Sequence, residues 1–311
     1  MRRAAPDASS LRLPGPWTHR AVSANGIRLH VAECDGGGPL VVLLHGFPEF
    51  WWAWRHQLPA LAGRGYRVVA ADLRGYGESD KPPRGYDLWT LAGDVAGLIK
   101  ALGEPRAHVV GHGWGGLVAW TVTALHPRLV LSLAAFGAPH PLAVRSAVVR
   151  DPRGQGRATA AYGAAFQLPR WPERSLRREG GARVARILSA WSGPDWVRTQ
   201  DFTEAVGHYR RAIQVTGVVH SALEYYRWAA RSQLRVEGRR FAAAVARTPA
   251  VPVLQVHGAL DPWALPPTAA ASRRWAGPAH RLHLVPGTGH FPHEESPTAT
   301  TELLAGFLTP S

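Results

Sequence analysis

Residues 107–117, AHVVGHGWGGL, are the stretch from which the rest of the chain can be read. A short apolar run, AHVVGH, passes directly into GLVAWTVTAL, whose apolar side chains recur at helical spacing. A buried strand, a tight turn and a helix in that order form the context of a nucleophile elbow. In such a small-x-nucleophile-x-small turn, one side chain is lifted above the sheet on a strained backbone. Gly111 and Gly115 supply the small flanks, and the central position is Gly113. The frame of an elbow is present with no side chain on it, and glycine relaxes the strain that Ser or Asp would suffer there.

Similar apolar runs lie on either side: LVVLLH (40–45), RVVAADL (67–73), LVLSLAAF (129–136), VPVLQVHG (251–258) and HRLHLVPG (280–287). Bounded by Gly or Pro, they read as buried strands. Helical stretches are expected over 90–102, 115–125 and 297–308, and Asn25-Gly26 between AVS and IRLHVAE marks a hairpin. This alternation predicts an α/β fold with a mostly parallel sheet of about eight strands. From Pro141 to Arg247 no strand run occurs, and Arg, Ala, Trp and Tyr recur at helical periods. The expected organisation is a core over 1–140, a helical cap over 141–247, and the core resumed over 248–311.

Composition bounds the function. The 311 residues are 46% hydrophobic and 19% charged with 13 Trp, which excludes a disordered or fibrous chain. The longest apolar run, Pro39 to Phe47, is far short of the roughly 20 residues that span a bilayer, so no membrane partner is expected. The start, MRRAAPDASS, has no apolar stretch behind its two Arg, so no secretory signal is read. Cys34 stands alone, and a reducing cytoplasm is the expected compartment. The net charge of +14 is regional: residues 141–247 hold 19 Arg against 8 acids. Those Arg are scattered and form no known binding motif, so they read as a solvated surface and no nucleic-acid partner is expected. Without a His/Cys cluster or a phosphate loop, neither a metal nor an organic cofactor is expected.

Two further segments complete the order nucleophile, acid, His. Asp261 in HGALDPW follows the strand VLQVH, and His290 in GTGHFPHEE follows RLHLV. Strand ends are where an open α/β sheet places its site. An Asp there fixes the tautomer of a His and steadies its protonated form. Each residue alone reads as a turn former or surface group, and together they read as a catalytic dyad. HGFPEF (45–50) ends the central strand, and the backbone N–H groups of Phe47 and Trp114 would converge as an oxyanion hole.

Taken together, HGFPEFWWAWRHQ, DLRGYGESDKP, the GxDxGG-like elbow, GAPHP, GALDPW and GTGHFPHEESP resemble the α/β-hydrolase family, and within it the epoxide hydrolase branch. The resemblance runs from about residue 20 to 308 and also implies a cis Phe47-Pro48 bond. In that branch an elbow Asp attacks the epoxide carbon, His with its acid partner activates water to hydrolyse the ester, and two cap tyrosines protonate the epoxide oxygen. The cap segments resemble AYGAAFQLPRWPE and SALEYYRWAA, which places the tyrosine roles on Tyr162 and Tyr226. The departure is Gly113, where the family has Asp. Gly113 excludes double displacement through a protein carboxylate and leaves three readings. These are a non-covalent enzyme using His290, Asp261, Tyr162 and Tyr226, a substrate-trapping replacement in an ordinary epoxide hydrolase, and a non-catalytic ligand-binding protein. Dehalogenase chemistry needs the same Asp, and serine esterase chemistry needs a hydroxyl at 113. The expected partner is a small molecule, bulky or aromatic; the oligomeric state is not legible.

Overall fold

The computed structural model describes residues 5–308. Eight strands form one sheet: β1 (Thr18–Ala24), β2 (Ile27–Asp35), β3 (Leu40–Leu44), β4 (Arg67–Ala71), β5 (Ala107–His112), β6 (Val130–Phe136), β7 (Val253–Gly258) and β8 (His280–Val285). Their spatial order is β1-β2-β4-β3-β5-β6-β7-β8. β2 pairs antiparallel with β1 and β4, and the other five pairings are parallel. The Asn25-Gly26 turn closes the β1–β2 hairpin with both residues at positive φ, 48° and 78°, which matches a two-residue turn to the twist of its strands. β3 at the centre is buried at every position, so its run of Leu and Val needs no alternation.

Helices cover both faces of the sheet. α1 (Gln57–Ala62) follows β3, α2 (Leu88–Ala101) precedes β5, and α3 (Trp114–Leu125) follows it. α3 starts one residue ahead of the sequence-based expectation, and α2 starts two ahead because Asp87 caps it by accepting from the Thr90 N–H at 2.8 Å. α3 lies against α2, β5 and β6, with Val118, Ala119, Trp120 and Val122 buried.

Between β6 and β7 every regular element among the described residues is helical. The longer ones are α4 (Pro141–Arg150), α5 (Arg157–Phe166), α6 (Trp171–Arg177), α7 (Ala182–Trp191), α9 (Gln200–Ala212), α10 (Val218–Ser232) and α11 (Val236–Val245), with the single turn α8 (Pro194–Val197) between α7 and α9. Amphipathic faces hold this block to the core: α7 buries Val184, Ile187, Leu188 and Trp191, and α10 buries Leu223, Tyr225 and Tyr226. Polar ties add to this. Arg55 Nη2 donates to both oxygens of the partly exposed Asp201 on α9, at 2.7 and 2.8 Å, and Nη1 reaches the buried Glu294 at 2.6 Å. Tyr209 donates to Glu294 at 2.7 Å, and Tyr225 donates to the Arg74 carbonyl at 2.7 Å. After β7 come α12 (Pro266–Ala271) and α13 (Arg273–Ala276), and after β8 come α14 (Pro292–Glu295) and α15 (Pro297–Leu308). No helix among the described residues is long and apolar enough to cross a membrane.

Candidate active site

Gly113 joins β5 to α3 at φ 51° and ψ −115°, a conformation that a side chain rarely adopts. Its flanks are small because the turn is tight. A methyl on Gly111 would collide with the Gly115 carbonyl, and one on Gly115 with the Leu44 carbonyl of the central strand. Position 113 is open by contrast. A Cβ there would meet only His290 Nε2 at 3.5 Å and Gly46 Cα at 3.6 Å. The backbone of position 113 therefore aims a side chain at His290.

His290 follows β8 and is 3% exposed. Its Nδ1 lies 2.8 Å from Asp261 Oδ2, and Asp261 Oδ1 accepts from the Trp263 and Ala264 N–H groups at 2.9 Å each. Burial pushes the Asp261 carboxyl up, but the charge and hydrogen bond of His290, with smaller help from His257, hold it below the ordinary value. An ionised Asp261 fixes the proton of His290 on Nδ1 and leaves the Nε2 lone pair facing position 113. Nε2 has no hydrogen-bond partner among the described residues. The ring is packed by Trp191 and Trp263 at centroid distances of 5.4 and 5.6 Å.

The loop that carries His290 is held from both sides. Glu295 accepts from the backbone N–H groups of Gly289 at 2.8 Å, Phe291 at 2.9 Å and Gly193 at 2.7 Å, and the His290 N–H reaches the Trp191 carbonyl at 2.7 Å. The sequence did not mark Glu295, because a carboxylate spent on three backbone donors leaves no spacing to read.

A second buried group was also missed. His112, beside the elbow, has Nε2 at 2.9 Å from the His290 carbonyl and Nδ1 at 2.7 Å from Glu49 Oε2. Both neighbours are acceptors, so both ring nitrogens carry protons. Burial opposes that charge, yet the Glu49 carboxylate and hydrogen bond raise the His112 pKa, and Glu49 is correspondingly held well below its ordinary value. Glu49 Oε2 also accepts from the Gly46 N–H at 2.7 Å. One ion pair thus ties together the end of β3, the elbow and the His290 loop. His293 Nε2 lies 3.3 Å from Glu49 Oε1, and the three groups could between them offer ligands to a metal ion. Both His112 nitrogens are already engaged, and burial drops His293 to about 3, which keeps its imidazole neutral.

Tyr226 on α10 is buried among Phe47, Phe166 and Trp114, at centroid distances of 5.6, 4.9 and 5.1 Å. Burial raises its pKa strongly, and the Trp114 indole offsets only part of this, so the phenol stays protonated. Tyr162 lies on α5, and its side chain is outside the described parts of the structure. The Phe47-Pro48 bond is cis, as the resemblance implied. Among the described residues, neither the Phe47 N–H nor the Trp114 N–H meets an acceptor, and Gly113 offers α3 no side-chain cap.

Residues 39–297 match the model of the alpha/beta hydrolase fold. The chain belongs to the α/β-hydrolase family. It is 33% identical to epoxide hydrolase A of Mycobacterium tuberculosis over 95% of this chain and 98% of that protein. It is equally 33% identical to the AB hydrolase superfamily protein YfhM of Bacillus subtilis, over 92% of this chain and 96% of that one. Among solved structures, an epoxide hydrolase from an endophytic Streptomyces superposes with a TM-score of 0.80 at 29% identity, covering 95% of this chain and 96% of that one. Within the α/β-hydrolases the chain is epoxide hydrolase-like.

Proposed function

We propose that this α/β-hydrolase opens an epoxide, or a related bulky small molecule, without a nucleophile supplied by its own elbow. The observation that carries the reading is the line from Gly113 to His290. The backbone keeps the elbow geometry, and a fully oriented base faces the position at 3.5 Å, where the chain supplies no attacking atom. In a triad hydrolase, loss of the nucleophile alone leaves roughly a thousandfold catalysis from the remaining site.

In this mechanism His290 Nε2 takes a proton from a water or a substrate hydroxyl lying over Gly113, and Asp261 steadies the imidazolium that forms. The oxygen attacks an epoxide carbon as the ring C–O bond breaks. The ring oxygen takes a proton from Tyr226, with Tyr162 as its partner from α5. A phenol whose pKa is raised by burial is kept in the donor form. The N–H groups of Phe47 and Trp114 serve as the anion-stabilising pair. Helices 141–247 act as the cap that brings the tyrosines over the sheet. Hydrolysis, intramolecular cyclisation and elimination all draw on this set, and the buried aromatic surroundings favour a bulky, apolar substrate.

The test is turnover of a panel of epoxides by the wild-type chain, by Gly113→Asp and by His290→Ala. Turnover by wild type that collapses in His290→Ala supports the reading. Turnover that appears only in Gly113→Asp would instead make the present molecule a substrate-trapping or ligand-binding form of the fold.

A further inference from the structure

A second feature of the elbow bears on what enters it. The space that a side chain at position 113 would fill is bordered by two features that suit a carboxyl group. One is the N-terminus of the twelve-residue helix α3, whose first N–H at Trp114 has no acceptor among the described residues and whose cap position carries no side chain. The second is independent of the helix: His290 Nε2, on a ring only 3% exposed, is unpartnered and points into the same space from 3.5 Å. Its lone pair repels a bare anion, so a carboxylate enters together with one proton. A water offers one oxygen to these groups. A planar carboxylate offers two, one for the backbone donor and one to share that proton with the imidazole.

We propose that the space over Gly113 binds one carboxylate group that does not belong to the protein, and that this group supplies the oxygen that attacks the substrate. The carboxylate is either part of the substrate or a free small acid. This rests on the epoxide-opening reading above and makes the water route the slower one, used when no carboxylate is bound. One carboxylate oxygen forms a bond to an epoxide carbon as the ring C–O bond breaks. The released alkoxide takes the Tyr226 proton; solvent restores it and takes up the proton left on His290, so that His290 is neutral again. With the substrate's own carboxylate, the product is a hydroxy lactone. With free formate it is a hydroxy ester. His290 then takes a proton from water, the water oxygen adds to the formyl carbon, and the alcohol leaves with the proton from His290. The diol keeps the formate oxygen, and formate keeps the water oxygen.

The experiment titrates 13C-formate into the folded chain by NMR and compares wild type with Gly113→Asp and Gly113→Asn. These variants place a charged and a neutral side chain in the same space, and circular dichroism checks that each is folded. A three-atom ligand should show a Kd of about 1 mM or weaker. Saturable binding in wild type that both folded variants abolish is expected. No saturation, or binding unchanged in a folded variant, would overturn the site. Turnover then separates the two sources. A saturable rise in hydrolysis of a neutral epoxide with formate, with oxygen-18 from water appearing in formate rather than in the diol, identifies the free acid. Lactone from a carboxylate-bearing epoxide in formate-free buffer identifies the substrate. Formate that binds while neither arm responds would overturn the attack. The epoxide-opening reading fails separately, when no epoxide is turned over under any of these conditions.

Discussion

The elbow and the His290–Asp261 pair are both built on strand ends of one sheet, yet they differ in what each retains. The elbow keeps its backbone, at φ 51°, and its tight glycine flanks, but presents no side chain. The pair keeps everything: a 2.8 Å hydrogen bond, two backbone donors on the Asp, and a loop fastened by Glu295. In the proposed mechanism this closely oriented imidazole acts on whatever occupies position 113. The contrast teaches that backbone geometry and side-chain chemistry are separable parts of a catalytic turn, and each can be tested apart from the other.

The largest expected effect comes from filling the elbow. Gly113→Asp should raise epoxide turnover by about a thousandfold or more, because it returns a covalent route to an otherwise assembled site. Steady-state rates on one epoxide measure it, and an unchanged rate in a folded variant would break the comparison. Emptying the pair is the reverse experiment. His290→Ala should cost wild-type turnover at least about a hundredfold, the ordinary worth of a positioned base, measured on protein that circular dichroism shows to be folded.

Support for the two regions differs as well, and stability measurements sharpen that difference. Glu49→Gln removes the charge that faces buried His112 and weakens the tie between the elbow and the His290 loop. Breaking a buried pair of this kind costs about 3 kcal/mol, readable as a shift in the urea midpoint. Acid acts on other buried groups of the core. Burial holds His108 and His140 at about 4, against 6.5 for an unburied His. Between those values the unfolded chain binds protons that the folded chain refuses. Stability is therefore full above about pH 6.5 and falls as pH drops toward 4, by up to about 1.4 kcal/mol per pH unit for each group. Glu294, pushed up to about 8 mainly by burial, has the opposite sign and loses its contribution as pH rises from 4.5 to 8. Denaturant titrations at pH 4.5, 6 and 7.5 should show the lowest stability at the acid end.

Much of this was legible in the chain because the signals are local. Each strand run is continuous, the elbow lies within a few residues, and Asp261 and His290 each directly follow a recognisable strand. What was not legible depends on distant residues meeting. Glu49, His112 and His293 come from three separate motifs, and nothing in their spacing shows that they share one buried cluster. Arg55 gave no hint of Asp201, which is 146 positions away. The sheet order, with β4 lying between β2 and β3, likewise follows from crossovers rather than from any single run.

The central claim is that His290 acts on water at an elbow with no nucleophile of its own. A single turnover of a neutral epoxide in oxygen-18 water, with enzyme in excess and no carboxylate in the buffer, tests it most directly. Direct attack by His290-activated water puts the label in the first diol formed. Unlabelled diol would mean that the protein itself delivered the oxygen, and would contradict the account.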